Sequence, residues 1–210
     1  SRGLSVKYDK NEPFAEQAHY TDPAFFDLFN FPVVAGSNNI TDKNSVLITE
    51  AIAKKYFGRQ DPLGKSLIFY SDEKYAMPLT VTGVLKDIPI NSTMQFGFLT
   101  NFENYLQGDG SKIAPDNWSW MVDAAFFRIP KRSDVAIITK SLEKYLPIQN
   151  KARMDGKAAG YRLISLHENA VMGDITNNGL YDRPEDSAAY GPFVLAILIF
   201  LSACLNFSNT

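Results

Sequence analysis

The chain has 210 residues, 45% of them hydrophobic and 21% charged, enough apolar material for a sizeable core and too much for a disordered chain. Its 21 basic and 23 acidic side chains leave a formal net charge of −2, and no lysine or arginine run offers a track for phosphates, which argues against nucleic acid as a partner. A single cysteine, Cys204, rules out an intramolecular disulfide.

Near the start, Ser1-Arg2-Gly3-Leu4 leads into polar residues rather than the apolar core of a signal peptide. Asp22-Pro23, followed by Ala24, Phe25, Phe26, Leu28 and Phe29, reads as an N-cap, a proline at the first helical position and a short amphipathic turn. Phe31, Val33 and Val34 lead to the turn cluster Gly36-Ser37-Asn38-Asn39. Ser45 to Ile48 then reads as a short buried strand. Thr49 is placed to cap a helix over Glu50 to Phe57, with Glu50 in the first turn, Lys54 and Lys55 near the end, and Gly58 at the stop.

Beyond the Asp61-Pro62-Leu63-Gly64 turn, Ser66 to Tyr70 and Leu79 to Leu85 predict a hairpin, with Gly83 as a candidate bulge. Phe96 to Leu106 is apolar enough for a strand or a helix, and 107 to 117 reads as a surface loop. Ala124 to Ile129 reads as a strand, Pro130 to Asp134 as a turn, and Val135 to Leu146 as a helix with Ile138, Leu142 and Tyr145 on one face. Pairing of Tyr161 to Leu166 back onto that strand would complete a strand-helix-strand unit. Gln149 to Gly160 would be its linker, and Glu168 to Ala189 reads as irregular and exposed. The class is α+β.

The last segment departs from the rest. Phe193 to Leu205 is apolar except for Ser202, and no charge follows Asp186. Thirteen residues are fewer than the roughly 20 of a full span, yet the run has no polar stripe at helical spacing. It is read as the opening of a membrane-spanning helix entered through Gly191-Pro192, with the proline in the first turn. Cys204, inside that run, is expected as a small buried hydrophobe.

The chemical motifs are weak. Gly58 to Ser66 ends like a phosphate-cradling loop, but five residues separate Gly58 from Gly64 where four are needed, and Pro62 has no N–H to offer. His19 and His167 stand far apart, outside any metal-ligand spacing. No serine elbow is present, and Asp72-Glu73 and Glu185-Asp186 read as solvated surface pairs. Trp118-Ser119-Trp120 would place two indoles on one face of an extended segment, most simply as a cross-strand packing pair.

Several segments nonetheless resemble one family in order: Tyr20-Thr21-Asp22-Pro23-Ala24-Phe25-Phe26-Asp27-Leu28-Phe29, Ser45-Val46-Leu47-Ile48-Thr49-Glu50-Ala51-Ile52-Ala53-Lys54-Lys55-Tyr56-Phe57-Gly58, Asp61-Pro62-Leu63-Gly64-Lys65 and Val81-Thr82-Gly83-Val84. They are similar to the periplasmic core domain of MacB-like and FtsX-like ABC transporter permeases, particularly Bacteroidetes versions. The phrase from Leu201 to Phe207 is similar to the start of that family's second transmembrane helix. The likeness covers roughly residues 18 to 210, and a strand-helix portion that the family carries before Tyr20 looks largely missing.

The resemblance implies an α+β domain of two lobes, one a porter-like strand-helix-strand lobe and the other smaller and mixed. Residues 1–190 would stand on the periplasmic side of the bacterial inner membrane, and 191–210 would begin a transmembrane helix. The implied partners are a cytoplasmic ABC ATPase subunit, a second permease copy or paralogue, a periplasmic adaptor or client protein, and the membrane. The implied role is mechanotransmission rather than catalysis. No catalytic, cofactor-binding or metal-ligating residue is assigned, and no cofactor is expected. The competing reading is an extracytoplasmic ligand-binding sensor domain in which Trp118 and Trp120 clamp a small molecule.

Overall fold

The computed structural model describes residues 2–71, 75–92, 94–107, 116–119, 124–153, 156–166 and 186–208. The chain divides into two compact units, Ser1–Leu163 and Ile164–Thr210.

The first unit is built on seven strands: β1 Arg2–Lys7, β2 Phe14–Thr21, β3 Val33–Gly36, β4 Ser45–Thr49, β5 Ser66–Tyr70, β6 Ala76–Leu85 and β7 Phe98–Asn101. Their order is β3-β6-β4-β7-β2-β1-β5, and β5 also pairs with β6. Strand β6 therefore has three neighbours and every other strand except β3 has two, and the sheet closes on itself through β5–β6, leaving β3 as the one strand of the sheet with a single partner. The closure mixes directions: β2–β7 and β4–β6 are parallel, whereas β1–β2, β1–β5, β4–β7 and β5–β6 are antiparallel. The added strand β3 lies antiparallel on β6.

Alternation along the strands sorts their side chains to two sides. Leu4, Val6, Ala18, Val46, Ile48, Leu67, Phe69, Leu79, Val81 and Phe98 form one core with Tyr56 and Phe57 of α2 (Glu50–Phe57). The opposite faces of the same strands supply Leu47, Leu85 and Leu99, which pack with Ile40, Phe25, Phe26, Phe31 and Phe96. Strand β4 is buried on both sides along its whole length, which is why its centre, Val46 to Ile48, is apolar on both faces. Leu47, Ile48, Phe69 and Phe98 are at most 1% exposed, and each contributes about 1.5–3 kcal/mol by leaving water.

Helix α2 matches its sequence signals at both ends. Thr49 Oγ1 accepts the Ile52 N–H at 3.5 Å, and the Gly58 N–H donates to the Lys54 carbonyl at 3.0 Å with Gly58 at φ 62°, a conformation that costs glycine nothing. The Asp22-Pro23 start is displaced. Asp22 Oδ1 accepts the Ala24 N–H at 2.8 Å in a tight turn, so α1 is only Phe25–Leu28, with Pro23 ahead of it. The ambiguous segment from Phe96 to Leu106 is both things in turn, β7 and then α3 (Phe102–Gln107).

The β1–β2 hairpin has no counterpart in the sequence reading. It turns through Asp9 at φ 53° and the Asn11 N–H bond to the Tyr8 carbonyl at 3.2 Å. Gly83 does mark an irregularity: the β4–β6 register skips Thr82 between Val81 and Gly83. A Cβ on Gly83 would stand 2.0 Å from the Ser37 carbonyl oxygen.

Two expected strands do not form. Residues 124–129 and 161–165 carry no ladder pairing, so the strand-helix-strand unit expected from them is absent. The first is held by side chains instead, with Phe126 5.0 Å from the Phe29 ring and the Arg128 guanidinium donating to the Asp27 carbonyl. Between them lies a helical arm, α4 Asp134–Leu142, a 3-10 turn Glu143–Tyr145 and α5 Leu146–Ala152.

In the second unit α6 spans Asp186–Ser208, with Pro192 inside it. The helix starts before the expected Gly191-Pro192 entrance because Ser187, Ala188 and Ala189 extend it backwards, and alanine is the strongest helix former. Pro192 then costs one backbone bond. The expected irregular stretch up to Ala189 otherwise falls outside the described residues, as do 108–115 of the expected surface loop. Among the described residues no helix is long and apolar enough to cross a membrane. A thirteen-residue apolar run rises about 20 Å against a hydrocarbon core of about 30 Å.

Candidate functional site

Where α2 meets the hairpin, three side chains converge. Glu16 Oε1 on β2 accepts the Tyr56 hydroxyl at 2.8 Å and the Lys55 Nζ at 2.7 Å. Lys55 also stands over the Phe14 ring at 4.9 Å. Burial pushes the Tyr56 hydroxyl above its ordinary pKa, and the hydrogen bond and negative charge of Glu16 push it further. An open groove beside this cluster is walled by Lys7, Pro13, Glu16 and Tyr70. The cluster fastens the helix to the barrel and presents no nucleophile or metal-ligand set.

A second polar seam joins β2 to α3. Tyr20 and Tyr105 meet edge to face at 5.3 Å, with the Arg2 guanidinium 4.8 Å over the Tyr105 ring. Burial raises the Tyr20 hydroxyl to about 12; Arg2 opposes that rise and Tyr105 adds to it. On the other side of α2, Asp87 Oδ1 accepts the Ala51 N–H at 2.8 Å while the Asp87 N–H donates to Glu50 Oε2 at 3.2 Å. This reciprocal cap holds the loop after β6, which carries Ile90 at its tip, 99% exposed.

Those of the residues singled out in the sequence that are described do not come together. His19 lies on β2 with its ring 6.2 Å from Phe96, and His167 falls outside the described residues, as do Trp120, Asp72, Glu73 and Glu185. Trp118 sits in a turn and stacks on Tyr145 at 5.4 Å and 23°, so its packing partner is the helical arm and not a neighbouring strand. Gly58 to Ser66 runs from the end of α2 into β5. Its Lys65 donates to Gln60 and lies 5.8 Å from the Phe57 ring, and the Gly64 N–H is spent on the Val81 carbonyl at 2.9 Å. Cys204 is exposed rather than buried, because α6 presents apolar residues all round and leaves them uncovered. Among the described residues no grouping of histidine, cysteine and carboxylates suits a metal ion.

Several solved structures are similar to the chain, three of them as follows. A domain of a protein described as a permease from Porphyromonas gingivalis is 20% identical, with a TM-score of 0.47 over 81% of this chain and 76% of that one. The periplasmic region of MacB from Actinobacillus actinomycetemcomitans is 18% identical, at 0.48 over 69% and 63%. The extracellular domain of the noncanonic ABC-type transporter YknZ from Gram-positive bacteria is 16% identical, at 0.49 over 78% and 77%. No curated protein matches the chain. The family described as MacB-like periplasmic core domain matches residues 1–145, a stretch that starts with β1 and so includes the hairpin ahead of Tyr20. The chain belongs to the MacB-like periplasmic core domain family.

Proposed function

We propose that the chain is the extracytoplasmic part of an ABC transporter permease subunit, with residues 1–190 outside the cytoplasm and 191–210 opening a transmembrane helix of the bacterial inner membrane. In this role it couples the ATP-driven motion of a cytoplasmic ATPase to a periplasmic adaptor, client or transported substrate, working beside a second permease copy or paralogue. It is not an enzyme.

The observation that carries this reading is the family match over 1–145, together with the apolar run of α6 that follows in the same chain. Support also comes from the build of the first unit. A closed sheet with a helix fastened across it suits a body that transmits displacement without deforming, because packed interiors are stiff.

The test uses the full-length protein in spheroplasts and a membrane-impermeant maleimide. Ile90→Cys should label readily, whereas Cys204 should label only after detergent is added. Equal labelling of Cys204 before and after detergent rejects the transmembrane reading. Coupling is tested separately: an Asp87→Ala change, which loosens the loop from α2, should reduce transport while leaving ATP hydrolysis by the partner subunit unchanged. Transport equal to wild type rejects mechanotransmission through this loop.

A further inference from the structure

The helical arm, Asp134 to Ala152, carries Lys140, Lys144 and Lys151 against Asp134 and Glu143, and Lys131, Arg132 and Arg153 flank it, so that the stretch from Lys131 to Arg153 has a local +4 on a chain whose formal net charge is −2. Its half-buried face is the one carrying Ile138, Leu142 and Tyr145. The opposite face has a separate regularity. Ile137, Lys140, Lys144, Ile148 and Lys151 recur at intervals of three and four residues along α4, the 3-10 turn and α5, and all five are exposed. Ile137 is 65% and Ile148 48% exposed.

Among the described residues Lys140, Lys144 and Lys151 stand in no ion pair such as Lys43–Glu103 or Lys55–Glu16, and the Lys144 ammonium lies 4.9 Å over the Tyr145 ring. An ordinary solvated helix face mixes charges of both signs with its lysines and avoids large exposed aliphatics. Here three lysines and two isoleucines share the face, and Glu143, three residues after Lys140, is the exposed acid at its edge.

We propose that this face is a docking surface for an anionic phospholipid bilayer, with the lysine ammoniums paired to headgroup phosphates and Ile137 and Ile148 dipping into the interface. Lysine suits the task because its long apolar stem lies along the interface while its charge reaches the phosphates. The proposal rests on the permease reading above, since that reading sets a bilayer beside the domain. Charge complementarity selects the anionic lipid: each lysine near such a surface raises partitioning about fivefold, so three supply on the order of 100-fold. A neutral surface would gain only the two isoleucines.

The experiment measures partitioning of the 210-residue chain, at low salt, into vesicles of phosphatidylcholine alone and into vesicles with about one third phosphatidylglycerol. Binding to the anionic vesicles should be at least tenfold tighter and should collapse at 0.5 M salt, on the order expected from a Debye length of about 4 Å. The triple change Lys140→Gln, Lys144→Gln and Lys151→Gln should abolish that tenfold preference, the corresponding triple arginine variant should keep it, and Ile137→Ser with Ile148→Ser should weaken binding to the anionic vesicles. All five side chains are exposed, so the variants should keep the wild-type circular dichroism and unfolding midpoint. Equal partitioning of the wild type into both vesicles overturns the proposal. So does a salt-sensitive self-association that the glutamine variant loses, because the face would then dock on protein. Either failure leaves the permease reading standing, since that reading rests on the family match over 1–145 and not on this face.

Discussion

Glu16 and Tyr56 share one hydrogen bond at 2.8 Å across the junction of β2 and α2, and the same carboxylate oxygen takes the Lys55 ammonium at 2.7 Å. The two partners are unequal. Lys55 is 42% exposed in its side chain and Glu16 only 13%, so water screens the ion pair more than the hydroxyl bond. Tyr56→Phe should cost about 1.5–3 kcal/mol, as the loss of a bond to a charged acceptor does, and Lys55→Ala about 0.5 kcal/mol. Urea unfolding of the chain measures both. Equal costs would mean that the ion pair is the real fastening.

The Tyr20 hydroxyl sets an alkaline limit. Its native pKa is about 12 against about 10 in an unfolded chain. Between those values the native state holds a proton that the unfolded state has lost, so stability is fully present below pH 10 and falls as the pH rises towards 12. The loss is on the order of 2–3 kcal/mol. Tyr20→Phe should flatten the slope of stability against pH in that window, as followed by guanidinium titrations from pH 9 to 11.5. An unchanged slope would assign the alkaline loss to other groups.

Close approach of backbone to backbone governs Gly83. The Ser37 carbonyl oxygen would lie 2.0 Å from an added Cβ, and Leu47 Cδ2 2.9 Å away, so β3 would have to leave β6. Gly83→Ala should destabilise by more than about 2 kcal/mol, in the range of overpacked cores. Gly160→Ala, with nothing within 4 Å of its added Cβ, should be neutral or slightly stabilising. Thermal unfolding of the two variants side by side is the check, and similar midpoints would contradict the predicted contact.

What the sequence made legible was local. Thr49, Gly58 and the turn at Asp61-Pro62-Leu63-Gly64 each act within a few residues of themselves, so α2 and the β5–β6 hairpin could be read directly. The closure of the sheet depends on β2 pairing with β7 and β1 with β5, contacts between distant segments that no local pattern encodes. In β1 the alternation of Leu4 and Val6 is brief and flanked by Arg2 and Lys7, which hid it. Ala124 to Ile129 failed in the other direction, because strand propensity records a fit to a pleated surface and not the presence of a partner. The exposed face of the arm escaped notice for a related reason: its half-buried side carries the stronger apolar spacing, and Ile137 and Ile148 count as core residues until burial is known.

The seam between α3 and the loop before β4 separates two kinds of polar contact at a single residue, Lys43. Its backbone carbonyl accepts the Asn104 Nδ2 at 2.7 Å, and Asn104 also donates to Thr100 Oγ1 at 2.9 Å, which in turn donates to the Ser45 carbonyl at 2.7 Å. Thr100 and Asn104 are 0% and 7% exposed. The Lys43 side chain, by contrast, pairs with Glu103 where both are about half exposed. Asn104→Ala leaves the buried Thr100 hydroxyl oxygen and the part-buried Lys43 carbonyl without their donor and should cost about 1–3 kcal/mol. Glu103→Gln removes a screened surface charge and should cost less than about 0.5 kcal/mol. Hydrogen exchange adds a local reading: the β4 amides should exchange faster in the asparagine variant and at the wild-type rate in the glutamine variant. If Glu103→Gln proved the more damaging, the seam would be held by its surface charges, and the buried amide network would be incidental to it.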